Sequence, residues 1–279
     1  MKIAVTGATG FIGRHVLAEL RHHPVEVIAL LRAPEKSQLY DFDGKIVRCD
    51  LSSCFPEQLF DAVDCPDVLI HLAWSGLPNY KSLHHFEEEL PRQYAFLSTL
   101  IRSGLSSLVV AGTCFEYGMV SGELSETVLP QPSNPYGYAK NALRCQLEYL
   151  QATHPFSLAW ARLFYIYGQG QSPKSLFSQL QESINSRHEA FNMSRGEQLR
   201  DYLHVSQVAQ YLVGLAISSR NPGVVNVCSG KPISVRRLVE RWIKENGWNI
   251  QLNLGFYPYP DHEPIAFWGT KDKLLENLK

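Results

Sequence analysis

The sequence has no apolar run approaching the roughly 18 residues that a membrane span needs. It has no excess of either charge: 26 basic residues face 27 acidic ones, a formal net charge of −1. That balance gives no electrostatic reason to expect nucleic acid or an anionic membrane as partner. It has no paired cysteines. Cys49, Cys54, Cys65, Cys114, Cys145 and Cys228 form no C-x-x-C pair, and they read as reduced, mostly buried thiols of a cytosolic protein. The histidine doublets His22-His23 and His84-His85 lack a third ligand at metal spacing, so both read as solvated helix ends. There are no internal repeats and no low-complexity linker. A strand starting at residue 2 leaves no room for a signal peptide, which adds to the expectation of a cytoplasmic protein.

What is present begins at the N-terminus. Ile3, Ala4 and Val5 read as a short buried strand, and an amphipathic stretch runs from Phe11 to about Arg21. Between them Gly7, Gly10 and Gly13 fall at G-x-x-G-x-x-G. Glycine lets the backbone turn sharply, and free N–H groups at the helix start then meet a pyrophosphate. The spacing differs from G-x-G-x-x-G, but strand, turn and helix in that order give the dinucleotide-binding context.

Further strands are expected near Glu26–Leu30, Ile46–Arg48, Val68–Leu72, Ser107–Ala111, Leu158–Leu163 and Val224–Val227. Helix-like stretches lie between most of them. Near-continuous apolar strands alternating with helices predict an α/β fold with a doubly wound parallel sheet. The tail differs: Phe256-Tyr257-Pro258-Tyr259-Pro260, with Pro264, reads as a rigid aromatic loop of a smaller C-terminal lobe.

Two patterns carry chemistry. Tyr136 and Lys140 lie four apart at the start of an amphipathic helix running to about Gln151, so they share a face. An ammonium one turn away favours the phenolate of a tyrosine whose ordinary pKa is near 10. Lowering that pKa by about three units needs roughly 4 kcal/mol of differential stabilisation. The plain alternative is a chance Y-x-x-x-K on a packed helix. Thr113 lies just past the end of an expected strand, where open α/β sheets hold their ligands. Its hydroxyl suits a substrate carbonyl or alcohol, and otherwise a turn cap.

These elements together resemble the extended short-chain dehydrogenase/reductase family, in its nucleotide-sugar epimerase, dehydratase and reductase branch. The resemblance spans nearly the whole chain. Gly7, Gly10 and Gly13, with Thr9, Phe11 and Ile12 between and beside them, match the family's glycine loop. Asp50-Leu51 resembles its adenine-contacting turn, and His71-Leu72-Ala73, followed by Trp74, the segment lying along the cofactor. Thr113, Tyr136 and Lys140 match its catalytic triad. Arg162-Leu163-Phe164 through Tyr167-Gly168 resembles R-x-F-x-x-Y-G, and Arg200-Asp201-Tyr202-Leu203-His204-Val205 resembles R-D-Y-I-H-V. Asn226-Val227 with Ser229-Gly230 resembles the late N-V-x-S-G turn.

The resemblance implies a Rossmann-like domain of residues 1–163 plus about 198–228, and a substrate-binding lobe of about 164–197 and 229–279. It implies a nucleotide-sugar substrate, a homodimer and a diphosphate contact from Arg200, against which stands a simple Arg200–Asp201 ion pair. Tyr165 stands where the family often has a substrate-contacting asparagine, and a second late arginine is missing. Trp74, Ser75 and Tyr80 line the sugar pocket or pack a loop. The second strand ends Leu30-Leu31-Arg32, with no carboxylate for a ribose 2′-hydroxyl. Arg32, with Lys36 as a second cation, favours NADP over NAD; otherwise Arg32 is a solvated loop residue.

Family dehydratases carry Asp-Glu after the threonine, where Cys114 and Phe115 stand here. Cys114 also misses the position of the cysteine used at C3 and C5. The reading is therefore an NADP-dependent reductase of a 4-keto-6-deoxyhexose with Tyr136 as general acid. The alternatives are an NAD-dependent 4-epimerase and a non-catalytic NADP sensor.

Overall fold

A computed structural model describes residues 1–37, 42–52, 58–218, 220–259 and 263–279 of the chain. Cys54, Pro260, Asp261 and His262 lie outside the described residues, as does the side chain of Lys36.

Seven strands form the central sheet: β1 (Lys2–Thr6), β2 (Glu26–Leu31), β3 (Lys45–Arg48), β4 (Val68–His71), β5 (Ser107–Thr113), β6 (Ser157–Leu163) and β7 (Gly223–Val227). Their order is β7-β6-β5-β4-β1-β2-β3, and every pairing is parallel. The chain winds outward from β1 through β2 to β3, then returns to β4 and winds the other way. The crevice at the carboxyl ends of β1 and β4 is thus the topological switch point, where such sheets bind ligands.

The helices that matter for the site are α1 (Phe11–Leu20), α2 (Leu90–Arg102), α3 (Pro135–Gln151), α4 (Val205–Ile217) and α5 (Val235–Glu245). Alternate strand residues point to opposite faces. Ile3, Val5, Ala29, Ile70 and Ala161 pack with Val16 and Leu17 of α1 and Val208 and Leu212 of α4. Ala4, Ile28, Leu69, Val110 and Trp160 pack with Phe96, Leu97 and Leu100 of α2 and Leu143 and Leu147 of α3. Both faces are covered, which is why these strands read as continuous apolar runs.

Strands of two to four residues form the rest. Tyr165–Tyr167 pairs with Tyr202–His204, Ala190–Met193 with Gln251–Leu254, and Leu199–Arg200 with Ile233–Ser234. Leu180, Phe191, Met193, Leu238, Val239 and Trp242 make a separate small core beneath α5. In the tail, residues 256–259 lie outside any strand, with Phe256 and Tyr257 exposed, and Phe267–Gly269 pairs with Gly122–Leu124.

Candidate active site

The glycine loop joins β1 to α1 with little room to spare. Gly7 has φ +66°, and a Cβ there would lie 2.9 Å from the Ala73 nitrogen. A Cβ on Gly13 would lie 2.1 Å from the Gly7 carbonyl oxygen and 2.7 Å from the Ala8 Cα. Helix α1 starts at Gly10 with no side-chain cap and no acidic residue in its first turn. The first N–H groups of a helix have no intrahelical partner, and here they are left for an anion. The loop therefore fits a dinucleotide pyrophosphate, with Thr9 and Gly10 exposed and Phe11 and Ile12 half-buried beside it.

Gly13→Ala is expected to lower stability by about 1–3 kcal/mol, because only backbone can move aside. Dinucleotide affinity should fall with it. Gly10→Ala should do less, since its Cβ meets only the Gly7 oxygen, at 3.1 Å. Urea unfolding and a cofactor titration of both variants check the ranking.

A directed hydrogen-bond chain fixes the β4 end. The Leu72 and Ala73 N–H groups donate to Thr6 Oγ1 at 3.1 and 3.3 Å. Thr6 Oγ1 lies 2.9 Å from His71 Nδ1, and His71 Nε2 lies 2.7 Å from Gln93 Oε1. Gln93 Nε2 donates to Glu89, which also accepts from the Ser75 N–H and hydroxyl. Burial, with the Lys140 charge nearby, pushes the His71 pKa down to about 3. The imidazole is therefore neutral, with its proton on Nε2. At the neighbouring strand ends, Arg32 is exposed beyond β2, and the Asp50 carboxylate accepts from the Ser52 N–H and hydroxyl. The Ser52 bonds chiefly hold the Asp50 pKa low, and Arg32 adds to this. Leu51 packs against the core.

Thr113 ends β5. Asn134 caps α3 by accepting from the Gly137 N–H at 2.9 Å, and Pro135 opens its first turn. This cap sets Tyr136 and Lys140 on the sheet side, where both are buried. Lys140 Nζ donates to the Ala111 carbonyl at 2.9 Å and lies 3.9 Å from the Trp74 ring centroid. Thr113 stands close enough to favour ionisation of Tyr136, but burial dominates and raises the phenol well above its ordinary value. The sequence-based expectation of a lowered tyrosine pKa is thus reversed in the protein alone. Burial costs the phenolate more than an ammonium 6.0 Å from the ring centroid returns. Burial also pulls Lys140 down to about 7, against the charges of Glu116 and Glu89.

Glu116 points away from the site. It accepts from the Thr113 N–H at 2.9 Å, Trp160 Nε1 at 2.9 Å and Arg162 Nε at 2.8 Å. Arg162 lies over the Tyr117 ring, and the Tyr117 hydroxyl donates to Asn226. The R-x-F and N-V segments are thus tied together beneath Thr113. Asp201 does not pair with Arg200. It accepts from the N–H groups of Ser229 and Gly230, at 2.6 and 2.9 Å. Arg200 instead pairs with Glu263, at 2.9 Å, and donates to the carbonyls of Leu199 and Ile265. Its guanidinium lies 5.7 Å from the centroid of Tyr165, whose buried phenol is held protonated by burial and by Glu263. The Glu263 charge also reaches Cys114 and Tyr80, so Arg200, Tyr165 and Glu263 lie near the loop after Thr113. A groove of about 890 Å³ opens nearby, lined by Tyr167, Tyr202, Lys231, Arg236, Arg237 and Arg241 among others.

One doublet is misread by the sequence. His22 and His23 do follow the end of α1, but His85 is fully buried against Trp74 and Tyr136. Glu89, Gln93 and Glu263 carry no signal in the sequence. Glu116 does: Thr113 to Glu116 is the T-x-x-E of a capping box, and the structure forms that box. Among the described residues no helix is long and apolar enough to cross a membrane, and no cluster of His, Cys, Asp or Glu could hold a metal ion.

Comparison with known proteins gives consistent matches. The model of the NAD dependent epimerase/dehydratase family matches residues 3–228. A dTDP-6-deoxy-L-talose 4-dehydrogenase (NAD(+)) of Aggregatibacter actinomycetemcomitans is 31% identical over 272 residues, 97% of this chain and 100% of that protein. A dTDP-6-deoxy-L-talose 4-dehydrogenase (NAD(P)(+)) of Kitasatospora kifunensis is 28% identical, over 97% of this chain and 87% of that protein. Among solved structures, MoeE5 in complex with UDP-glucuronic acid and NAD superposes with a TM-score of 0.82 at 30% identity, over 100% of this chain and 92% of that one.

Proposed function

The chain belongs to the NAD dependent epimerase/dehydratase family, and on that premise we propose that it reduces the C4 ketone of a nucleotide-linked 4-keto-6-deoxyhexose with NADPH. It is an NAD(P)-dependent enzyme of nucleotide-sugar chemistry. The observation that carries the finer reading is Tyr136, a buried phenol held protonated beside Thr113. A protonated phenol is the acid that a ketone reduction needs. Elimination needs a carboxylate after Thr113, where Cys114 and Phe115 stand. Burial also holds the Cys114 thiol protonated.

Gly7, Thr9, Gly10, Phe11, Ile12 and Gly13 would hold the pyrophosphate of a bound dinucleotide, Asp50 and Leu51 would receive its adenine end, and Leu72, Ala73 and Trp74 would flank it. When bound, the cofactor supplies the hydride that C4 accepts. Thr113 then fixes the ketone oxygen by hydrogen bonding. Tyr136 gives its proton to that oxygen as the C=O double bond becomes a C–O single bond. Lys140 sustains the acidity of Tyr136 and holds the ribose. Arg200 and Tyr165 face the substrate.

Arg32 supports NADP, because it can meet a 2′-phosphate and no carboxylate stands at the end of β2. A second reading, NAD, is favoured by the name of the Aggregatibacter relative. That relative also favours a dTDP-linked sugar. The test is NADPH and NADH oxidation with a panel of dTDP-, GDP- and UDP-linked 4-keto-6-deoxyhexoses, with both dissociation constants. Consumption of NADPH with one sugar, and an affinity for NADPH that drops about tenfold in Arg32→Ala, is the expected result. Tighter NADH binding selects NAD. Interconversion of hexose nucleotides without net cofactor use selects the epimerase. Tight cofactor binding with no reaction selects the sensor.

A further inference from the structure

We infer that His85 is a positioning residue for the Tyr136–Lys140 centre and acts on it through Trp74. The inference rests on reading that pair as the centre of the reaction. Trp74 touches three groups at once. Its ring face covers Lys140 Nζ, 3.9 Å from the centroid. Its ring meets Tyr136 edge to face, 6.0 Å between centroids at 74°. Its Nε1 donates to His85 Nδ1 at 3.1 Å.

An indole nitrogen only donates, so His85 Nδ1 must carry a lone pair. The other imidazole nitrogen, Nε2, lies 2.8 Å from the Asn79 carbonyl, which only accepts. The two partners together fix one neutral tautomer. Protonation would turn Nδ1 into a donor and remove the link to Trp74. The charges facing His85 are His84 beside it, Glu89 at the entrance to α2, and Lys140 from α3. Burial outweighs them and lowers the His85 pKa below its ordinary value.

His85 is itself a wall of the site. Its ring lies at 27° to Trp74 and 5.2 Å from the Tyr136 centroid. Lys140 is in turn faced by Glu116 from beyond β5, by Glu89, and by neutral His71 of β4. Trp74 is tied to His85 by its Nε1–Nδ1 hydrogen bond. That bond sets where the aromatic face lies. The face sets how far the ammonium is shielded and where it can reach.

The test uses His85→Gln, His85→Asn and Trp74→Phe in the full chain, with steady-state kinetics and a pH profile of each. Asn places an oxygen where Nδ1 was and keeps the acceptor for Trp74. Gln reaches instead to the Nε2 position and drops it. His85→Gln and Trp74→Phe are each expected to lower kcat roughly three- to tenfold, with a smaller effect on KM. The two losses should not multiply in the double variant. The limb of the pH profile set by Lys140 should move in the same direction in both. His85→Asn should recover most of the kcat lost in His85→Gln. An unchanged kcat and pH profile in His85→Gln, or losses that multiply, overturns the inference. If His85→Gln does not fold, Trp74→Phe and His85→Asn decide it alone. Tyr136→Phe run in parallel separates the two levels: retained turnover there removes the reading of the centre, whatever His85 does.

Discussion

Tyr136→Phe is expected to cut turnover by roughly two to four orders of magnitude, the usual worth of a positioned general acid. Dinucleotide affinity should change by no more than about threefold, because the glycine loop and the β4 end are untouched. The substitution removes only the hydroxyl. The ring keeps its contacts with Trp74, Tyr80, His85 and Phe115, so the fold should hold. The pH profile supplies the second half of the test. Burial raises the Tyr136 pKa, so the acid stays protonated across the working range. Lys140 titrates at about 7, and its ammonium is present below that pH and lost above it. Reduction should therefore weaken as pH rises through about 7, and the weakening should disappear in Lys140→Met together with most of the rate. Turnover of Tyr136→Phe within tenfold of the parent enzyme removes the assignment.

The large-scale fold was legible in the sequence because it depends on period and punctuation. The apolar runs near Ile3–Val5, Val68–His71 and Ser107–Ala111 are strands of a sheet covered on both faces, and their alternation with helical stretches pointed to such a sheet. Glycine at positions 7 and 13 was legible for the same reason, since a Cβ at either would meet backbone. The small strands outside the central sheet were not legible. Two residues such as Leu199–Arg200 have no period, and tertiary pairing alone makes them strands. Charge partnership was the least legible. Arg200 and Asp201 are adjacent in sequence, yet Arg200 ends one short strand and meets Glu263, while Asp201, between that strand and the next, meets the Ser229 turn. His85 failed for a related reason. A histidine doublet with no third ligand at metal spacing reads as a solvated helix end, and only the fold shows that Trp74 and Tyr136 close over His85.

Glu116→Ala is expected to cost about 3–5 kcal/mol of stability, a large share of the roughly 5–15 kcal/mol a folded domain has. Glu116 and Arg162 are both fully buried, 2.8 Å apart. Deleting the carboxylate strands a guanidinium whose Nη1 already has no hydrogen-bond partner among the described residues. It also strips Trp160 Nε1 and the Thr113 N–H of their acceptor. The loss should reach function as well, because the Thr113 N–H bond fixes the strand end that presents the Thr113 hydroxyl. Glu116→Gln keeps an acceptor for two of the three donors and should cost less. The decisive comparison is Glu116→Gln/Arg162→Met. Removing both charges together avoids the stranded cation, so the pair should be more stable than Glu116→Ala alone. Urea unfolding midpoints measure all three. A loss below about 1 kcal/mol in Glu116→Ala would mean that the pair is solvated in solution and that Thr113 is held by something else.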